Sequence, residues 1–205
     1  MKHLPNALTI ARIIAAPISL YLLLRYDSFG AWAAATVLFI LAAITDYYDG
    51  KLARDLEARS RLGQFLDPLA DKILVLGAFI ALLFIDPVAA WIPWWAVALV
   101  LFRDVAVTGL RTYEESKGRV LKTSKGAKAK TAWQLTFLIS TLVFLTFTQL
   151  GTLDASLVPV SDFFLMVLDS PFTLVFVLVT VAVTVYTGVQ YFVQGETETD
   201  FPVKE

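Results

Sequence analysis

The chain contains no cysteine and only one histidine, His3. The first absence excludes a disulfide framework and any thiolate metal site. The second excludes zinc sites that need two or three imidazoles. A Ser-His-Asp triad would have to recruit His3 from the N-terminal tail, a poor place for catalysis. Charge is scarce as well. Asp, Glu, Lys and Arg make up 17% of the 205 residues, against roughly a quarter in an average soluble domain. Residues 28–45, 131–153 and 170–195 carry no charge at all. Runs of about 18 or more such residues can cross a bilayer as helices. Hydrophobic residues reach 58% and the mean hydropathy is +0.69. This composition reads as an integral membrane protein of one domain, residues 1–205, with no nucleic acid partner. No cleavable signal peptide is expected, because Arg12 interrupts the first apolar helix and no small-residue cleavage site stands out.

Six hydrophobic segments are predicted, at about 5–25, 30–50, 64–85, 88–112, 127–150 and 171–193, giving an all-α bundle of six transmembrane helices. Asp86-Pro87 should end the third, since proline disfavours a helical residue before it. Trp91, Trp94 and Trp95 look like an interfacial aromatic belt. Residues 161–168 are expected to lie on the membrane surface, and the acidic tail from about 195 to 205 to be disordered. Small residues such as Gly77, Ala78, Gly109 and Gly126 should let helices approach closely. The 50–62 connection holds Lys51, Arg54, Arg59 and Arg61, and the 112–130 connection holds Lys117, Arg119, Lys122, Lys125, Lys128 and Lys130. The connections at 86–90 and 151–170 hold no base. The positive-inside rule then sets both termini and both basic loops in the cytoplasm. With that topology Arg12, Arg103, Asp104, Arg111 and the aspartates at 46, 49, 67 and 71 all fall in cytoplasmic halves of helices. Ionisable groups at such depth face a cavity or one another. The pattern describes a polar chamber open to the cytoplasm, whereas a channel would be polar along its whole length.

What the chain does have is four aspartates in register. On a helix, Asp46, Asp49, Gly50 and Ala53 share one face by i, i+3, i+4, i+7 spacing, and Asp67 and Asp71 share a face by i, i+4. The second and third segments are joined by a short stretch, so their acidic faces can meet. Gathering four carboxylates costs free energy through repulsion and desolvation unless something positive sits among them. A divalent cation answers that need, and carboxylate oxygens suit Mg²⁺, Mn²⁺ or Ca²⁺. Gly50 and Ala53 lack bulk and would let a pyrophosphate approach the backbone. Arg54 can clamp phosphate with its planar fork. The plainer reading is interfacial acids paired with Lys51, Arg54, Arg59, Arg61 and Lys72. Two acidic pairs in register with two glycines, an alanine and an arginine favour the site.

Asp46-x-x-Asp49-Gly50-x-x-Ala53-Arg54-x8-Gly63-x3-Asp67-x3-Asp71 resembles, at every position, the signature of the CDP-alcohol phosphotransferases. The likeness extends over most of residues 4–135. Pro5-Asn6-Ala-Leu-Thr9-Ile-Ala-Arg12, Arg103-Asp104-Val-Ala-Val-Thr-Gly-Leu-Arg111 and Ser124-Lys-Gly-Ala-Lys128-Ala-Lys130-Thr131 are similar to the branch whose acceptor is sn-glycerol 3-phosphate. That branch more often has Arg-Glu where this chain has Arg103-Asp104. The C-terminal third is similar only in hydropathy.

The resemblance implies transfer of a phosphatidyl group from CDP-diacylglycerol to glycerol 3-phosphate, with release of CMP, at the cytoplasmic face of a bacterial inner membrane. It implies Mg²⁺ or Mn²⁺ held by Asp46, Asp49, Asp67 and Asp71, with Asp71 also the general base. It assigns Asn6, Thr9, Asp49, Gly50, Ala53 and Arg54 to CDP-diacylglycerol. The acceptor phosphate is a dianion, and the same likeness points to Arg111, Arg119, Lys128 and Lys130 as its clamp. Lys117, Lys122 and Lys125 read better as ordinary positive-inside charge that attracts anionic membrane lipid, and Arg103 and Asp104 as a pair. The family is commonly homodimeric. The aspartate motif serves the shared donor, so inositol phosphate, serine or phosphatidylglycerol stay open as acceptors. A non-catalytic metal-binding membrane protein is the rival outside the enzyme class.

Overall fold

The computed structural model describes residues 4–55, 61–117, 120–121, 125–193 and 197–198, with side chains for 9–45, 72–114, 117, 126 and 129–190. Within them the chain forms α1 (Leu4–Arg25), α2 (Phe29–Asp55), α3 (Arg61–Leu82), α4 (Trp94–Ser116), α5 (Lys125–Thr148), α6 (Val158–Leu168) and α7 (Pro171–Val193). The expected helices are all present, with shifted ends. The fourth starts at Trp94, not at 88, because Pro93 offers no N–H to a preceding turn, while its carbonyl accepts from Ala96 and Val97. Residues Val88–Ala90 form a separate 3₁₀ turn. The third ends at Leu82, before the Asp86-Pro87 stop, and the second runs on to Asp55. Of the acidic tail only Thr197–Glu198 (β2) lie among the described residues, and they pair antiparallel with Val120–Leu121 (β1).

Two helical stretches, Ala129–Thr152 and Pro171–Gln190, are long and apolar enough to cross a membrane on length and composition alone. α1 to α4 have the length too, at 22, 27, 22 and 23 residues, or about 33–40 Å at 1.5 Å per residue. Their apolar runs are interrupted by ionisable residues such as Arg12, Asp46, Asp71 and Arg103. α6, with 11 residues, is too short to span. The surface argues in the same direction. Phe84, Phe102 and Trp94 are 73%, 73% and 74% exposed, and Ile14, Leu41, Val105 and Val175 are more than half exposed. Water-soluble surfaces do not carry large apolar side chains at this density.

The helices pack in an arc, α3–α1–α2–α5–α7–α4, whose ends α3 and α4 barely touch. Aromatic rings hold its centre. Phe79 of α3 stacks on Phe137 of α5 at 5.6 Å, and Phe137 meets Phe176 of α7 edge-on at 5.0 Å. Hydroxyl groups join neighbours where lipid supplies no hydrophobic drive between helices. Ser19 donates to the Ala35 carbonyl at 2.9 Å, and Thr36 shares a hydrogen bond with Thr146 at 3.0 Å. Of the small residues singled out, Ala78 is buried and Gly77 lies against Leu20 of α1. Gly109 instead faces open space among the described residues.

A Cβ on Gly77 would come within 2.6 Å of Leu20 Cδ1. Gly77→Val should therefore cost about 1–3 kcal/mol of stability through overpacking, read as a lower unfolding midpoint in detergent. Gly109→Val should leave that midpoint unchanged.

Candidate functional site

The side chains of Asn6, Asp46, Asp49, Gly50, Ala53, Arg54, Asp67, Asp71 and Lys128, and the whole of Arg119, lie outside the described residues. The backbone still places most of the motif. α2 is continuous through Asp55, so Asp46, Asp49, Gly50 and Ala53 occupy one helical face. α3 is continuous from Arg61, so Asp67 and Asp71 share another. α2 and α3 touch each other, and both pack on α1. The six steps from Asp55 to Arg61 reach at most about 20 Å, which keeps the two acidic helix ends close.

The depth of the motif is set by the α1–α2 register. Arg12 Nε donates to the Ala42 carbonyl at 3.2 Å, and Ser19 Oγ to Ala35. Moving from 12 to 19 on α1 matches moving from 42 to 35 on α2, as two antiparallel helices of equal rise require. The same register sets Thr9 level with Thr45 and Asn6 level with Tyr48 and Asp49. The start of α1 therefore borders the acidic end of α2. Thr9 and Arg12 are both 2% exposed. A buried arginine one α2 turn from Asp46 contributes positive charge at the edge of the acidic end. The donor set is all hard oxygen and its helices are neighbours, which fits a divalent cation.

A second polar group lies across α4, α5 and α7. Lys130 Nζ donates to both oxygens of Asp104, at 2.6 and 2.7 Å. Arg103 Nη1 donates to Asp104 Oδ1 at 3.2 Å, and its Nη2 to Thr187 Oγ1 of α7 at 3.2 Å. The side chains of Arg103, Asp104 and Lys130 are 11%, 12% and 6% exposed. The expected Arg103–Asp104 pair is present. The sequence marks Lys130 only as an acceptor ligand, and its bond to Asp104 emerges from the structure alone. Arg111 lies on the same α4 face as Asp104, seven residues on, and is partly buried. Two further bonds tie α5 to α7 nearby. Gln134 Nε2 donates to Thr184 Oγ1 at 3.2 Å, and Trp133 Nε1 to Thr180 Oγ1 at 3.1 Å. Sequence reasoning missed these threonines. Their signal was the i, i+4, i+7 recurrence of Thr180, Thr184 and Thr187 in an uncharged helix. Lys117 Nζ sits 4.1 Å from the Tyr113 ring centroid, an exposed contact that suits its reading as peripheral charge.

These features define a predominantly helical bundle, two of whose helices are long and apolar enough to cross a membrane, with adjacent acid-bearing helix ends and a charged cluster withdrawn between its other helices. A family model described as CDP-alcohol phosphatidyltransferase matches residues 2–186, and the chain belongs to that family. Among curated relatives, the CDP-diacylglycerol–glycerol-3-phosphate 3-phosphatidyltransferase of Cereibacter sphaeroides is 44% identical over 135 residues, 64% of this chain and 59% of that protein. The protein of the same name from Bacillus subtilis is 38% identical over 154 residues, covering 70% of this chain and 77% of its own length. That of Rickettsia typhi is 40% identical over 143 residues, with the same two shares. The chain thus spans less than two thirds of the Cereibacter relative.

Arg12→Met keeps an apolar stem and deletes the guanidinium. It should cost about 1.5–3 kcal/mol, the net worth of a hydrogen bond from a charged donor, the Ala42 carbonyl keeping Thr45 Oγ1 as a partner, and Ser19→Ala about 1 kcal/mol. Unfolding in detergent measures both, and unchanged midpoints would remove these bonds from the α1–α2 register.

Proposed function

We propose that this chain transfers the phosphatidyl group of CDP-diacylglycerol to sn-glycerol 3-phosphate, giving phosphatidylglycerophosphate and CMP. One observation carries the reading. Three relatives at 38–44% identity bear that activity in their names, and their alignments cover 64–70% of this chain. The domain would cross a bacterial inner membrane six times, with both termini and the site on the cytoplasmic side. The concentration of lysine and arginine in the α2–α3 and α4–α5 connections supports that orientation, and α6 would lie along the opposite surface.

Asp46, Asp49, Asp67 and Asp71 would hold the metal. When bound, Mg²⁺ or Mn²⁺ neutralises pyrophosphate oxygens and makes the phosphorus more electrophilic. The chain's own residues position the rest. Gly50 and Ala53 leave space for the pyrophosphate, Arg54 binds it as a planar cation, and Asn6 and Thr9 border the nucleotide from α1. Asp71 removes the proton of the acceptor hydroxyl while that oxygen bonds to the phosphatidyl phosphorus and the bond to CMP breaks. A free carboxylate, with pKa about 3.9, is a weak base, so its effect rests on placement. Arg111, Arg119, Lys128 and Lys130 present positive charge to the acceptor's dianionic phosphate.

Purified protein with Mg²⁺ and CDP-diacylglycerol, offered glycerol 3-phosphate, inositol phosphate, serine and phosphatidylglycerol, should release CMP with the first alone. No CMP with any acceptor would refute the reading. Asp71→Asn should cut turnover by about 10²-fold or more while CDP-diacylglycerol binding stays measurable. Turnover near wild type removes Asp71 from the mechanism.

Arg111→Ala should raise KM for glycerol 3-phosphate about tenfold, the loss of one charge-assisted contact. KM for CDP-diacylglycerol should hold steady. Equal effects on both substrates would discredit the acceptor assignment.

A further inference from the structure

Asp104, Arg103 and Thr187 have no place in the proposed reaction, yet they surround one of its residues. Asp104 takes Lys130 on both carboxylate oxygens, a two-point hold that fixes the ammonium in place. Arg103 holds Asp104 from the other side and is itself held by Thr187. The Thr187 hydroxyl proton is committed to the Val183 carbonyl at 2.8 Å, which leaves a lone pair for the guanidinium. Gly188 makes the arrangement possible. A Cβ there would lie 2.9 Å from Arg103 Cγ and 3.1 Å from its Nε. The arginine stem therefore lies across the one residue of this α7 turn that has no side chain.

A lysine has four rotatable carbons and strong hydration, so an unheld ammonium is a poorly aimed ligand. Here its carboxylate partner comes from α4, and that partner is braced from α7. We infer that Asp104 is a positioning residue for the acceptor: through Lys130 it aims positive charge, and α7 secures it through Thr187 and Gly188. The inference rests on the proposed acceptor role of Lys130. It also gives α7, most of which the family model covers although its sequence stands out only in hydropathy, a part beyond spanning. The shortened acid at 104 suits this geometry, because its carboxylate already meets Lys130 at 2.6 Å with Arg103 alongside.

The test is a double-mutant cycle on the full chain in detergent with Mg²⁺, comparing Asp104→Asn, Lys130→Gln and the double variant. Each single change should raise KM for glycerol 3-phosphate about tenfold. The double variant should match the singles, because the two residues act as one unit. KM for CDP-diacylglycerol should stay within about twofold of wild type. Asp104→Glu should recover part of the loss. Effects that multiply to about a hundredfold, or that raise both KM values alike, would overturn the inference. If Asp104→Asn does not fold, Thr187→Val is the second variant. It removes only the hydroxyl acceptor and should raise the acceptor KM about threefold. An unchanged acceptor KM there overturns the brace. If wild type uses a different acceptor, the acceptor reading fails separately, and the cycle is scored on the acceptor that releases CMP.

Discussion

Arg12 reaches from α1 to the Ala42 carbonyl of α2, and Ser19 repeats the reach two turns further on at Ala35. In an apolar surrounding neither donor can fall back on water, so each holds the pair of helices at one register. A slip by one residue would break both bonds. That register determines which part of α1 stands beside Asp46 and Asp49. Since α3 packs on the same α1, the second acidic pair depends on it as well. The start of α1 borders the acidic end of α2 only while this alignment lasts.

The rest of the bundle divides polar work by depth. Toward the end that carries the aspartates, the charged side chains Arg12, Arg103, Asp104 and Lys130 are withdrawn from the surface, beside buried Thr9 and Thr187. Away from it the buried polar groups are hydroxyls, such as Thr36 with Thr146 and Thr173 with the Leu168 carbonyl. A hydroxyl can satisfy itself on a carbonyl of its own or a neighbouring helix. A charge needs an opposite charge or a ligand. The aromatic stack of Phe79, Phe137 and Phe176 fills the centre. Among the described residues the withdrawn charged groups therefore lie toward one end of the bundle.

Much of this was legible in the residues. Uncharged runs marked the helices because a lipid-facing helix tolerates no unpaired charge, and the aspartate spacing marked two faces because helical geometry is local. Helix ends were less legible. Residues 88–92 are as apolar as the start of α4, and only the backbone shows that Pro93 separates them from a new helix. The α1–α2 register was hidden because it depends on which carbonyl a distant arginine finds. The threonines of α7 were hidden for a related reason. In an uncharged run they count as weakly apolar, and their partners Trp133, Gln134 and Arg103 lie 47, 50 and 84 residues away in sequence. Lys130 stands out in the sequence for its charge, but its bond to Asp104, 26 residues back, is tertiary information.

The two polar centres differ in how they are built, and under the proposed function the difference matches what each would bind. The acidic motif sits on two consecutive helices joined by a short connection, so local spacing nearly suffices to assemble it. Donor recognition can therefore be written into one compact stretch of chain. The basic centre is assembled from α4, α5 and α7, with Asp104 tying the first two and Thr187 adding the third. Its geometry depends on packing between segments far apart in sequence. A change in α7 that preserves hydropathy but removes Thr187 or fills the space at Gly188 would disturb Arg103 and leave the aspartate spacing intact. Under the proposed function, acceptor preference would thus drift within a common donor chemistry. The C-terminal helix, despite its plain apolar sequence, is one place where such drift would begin.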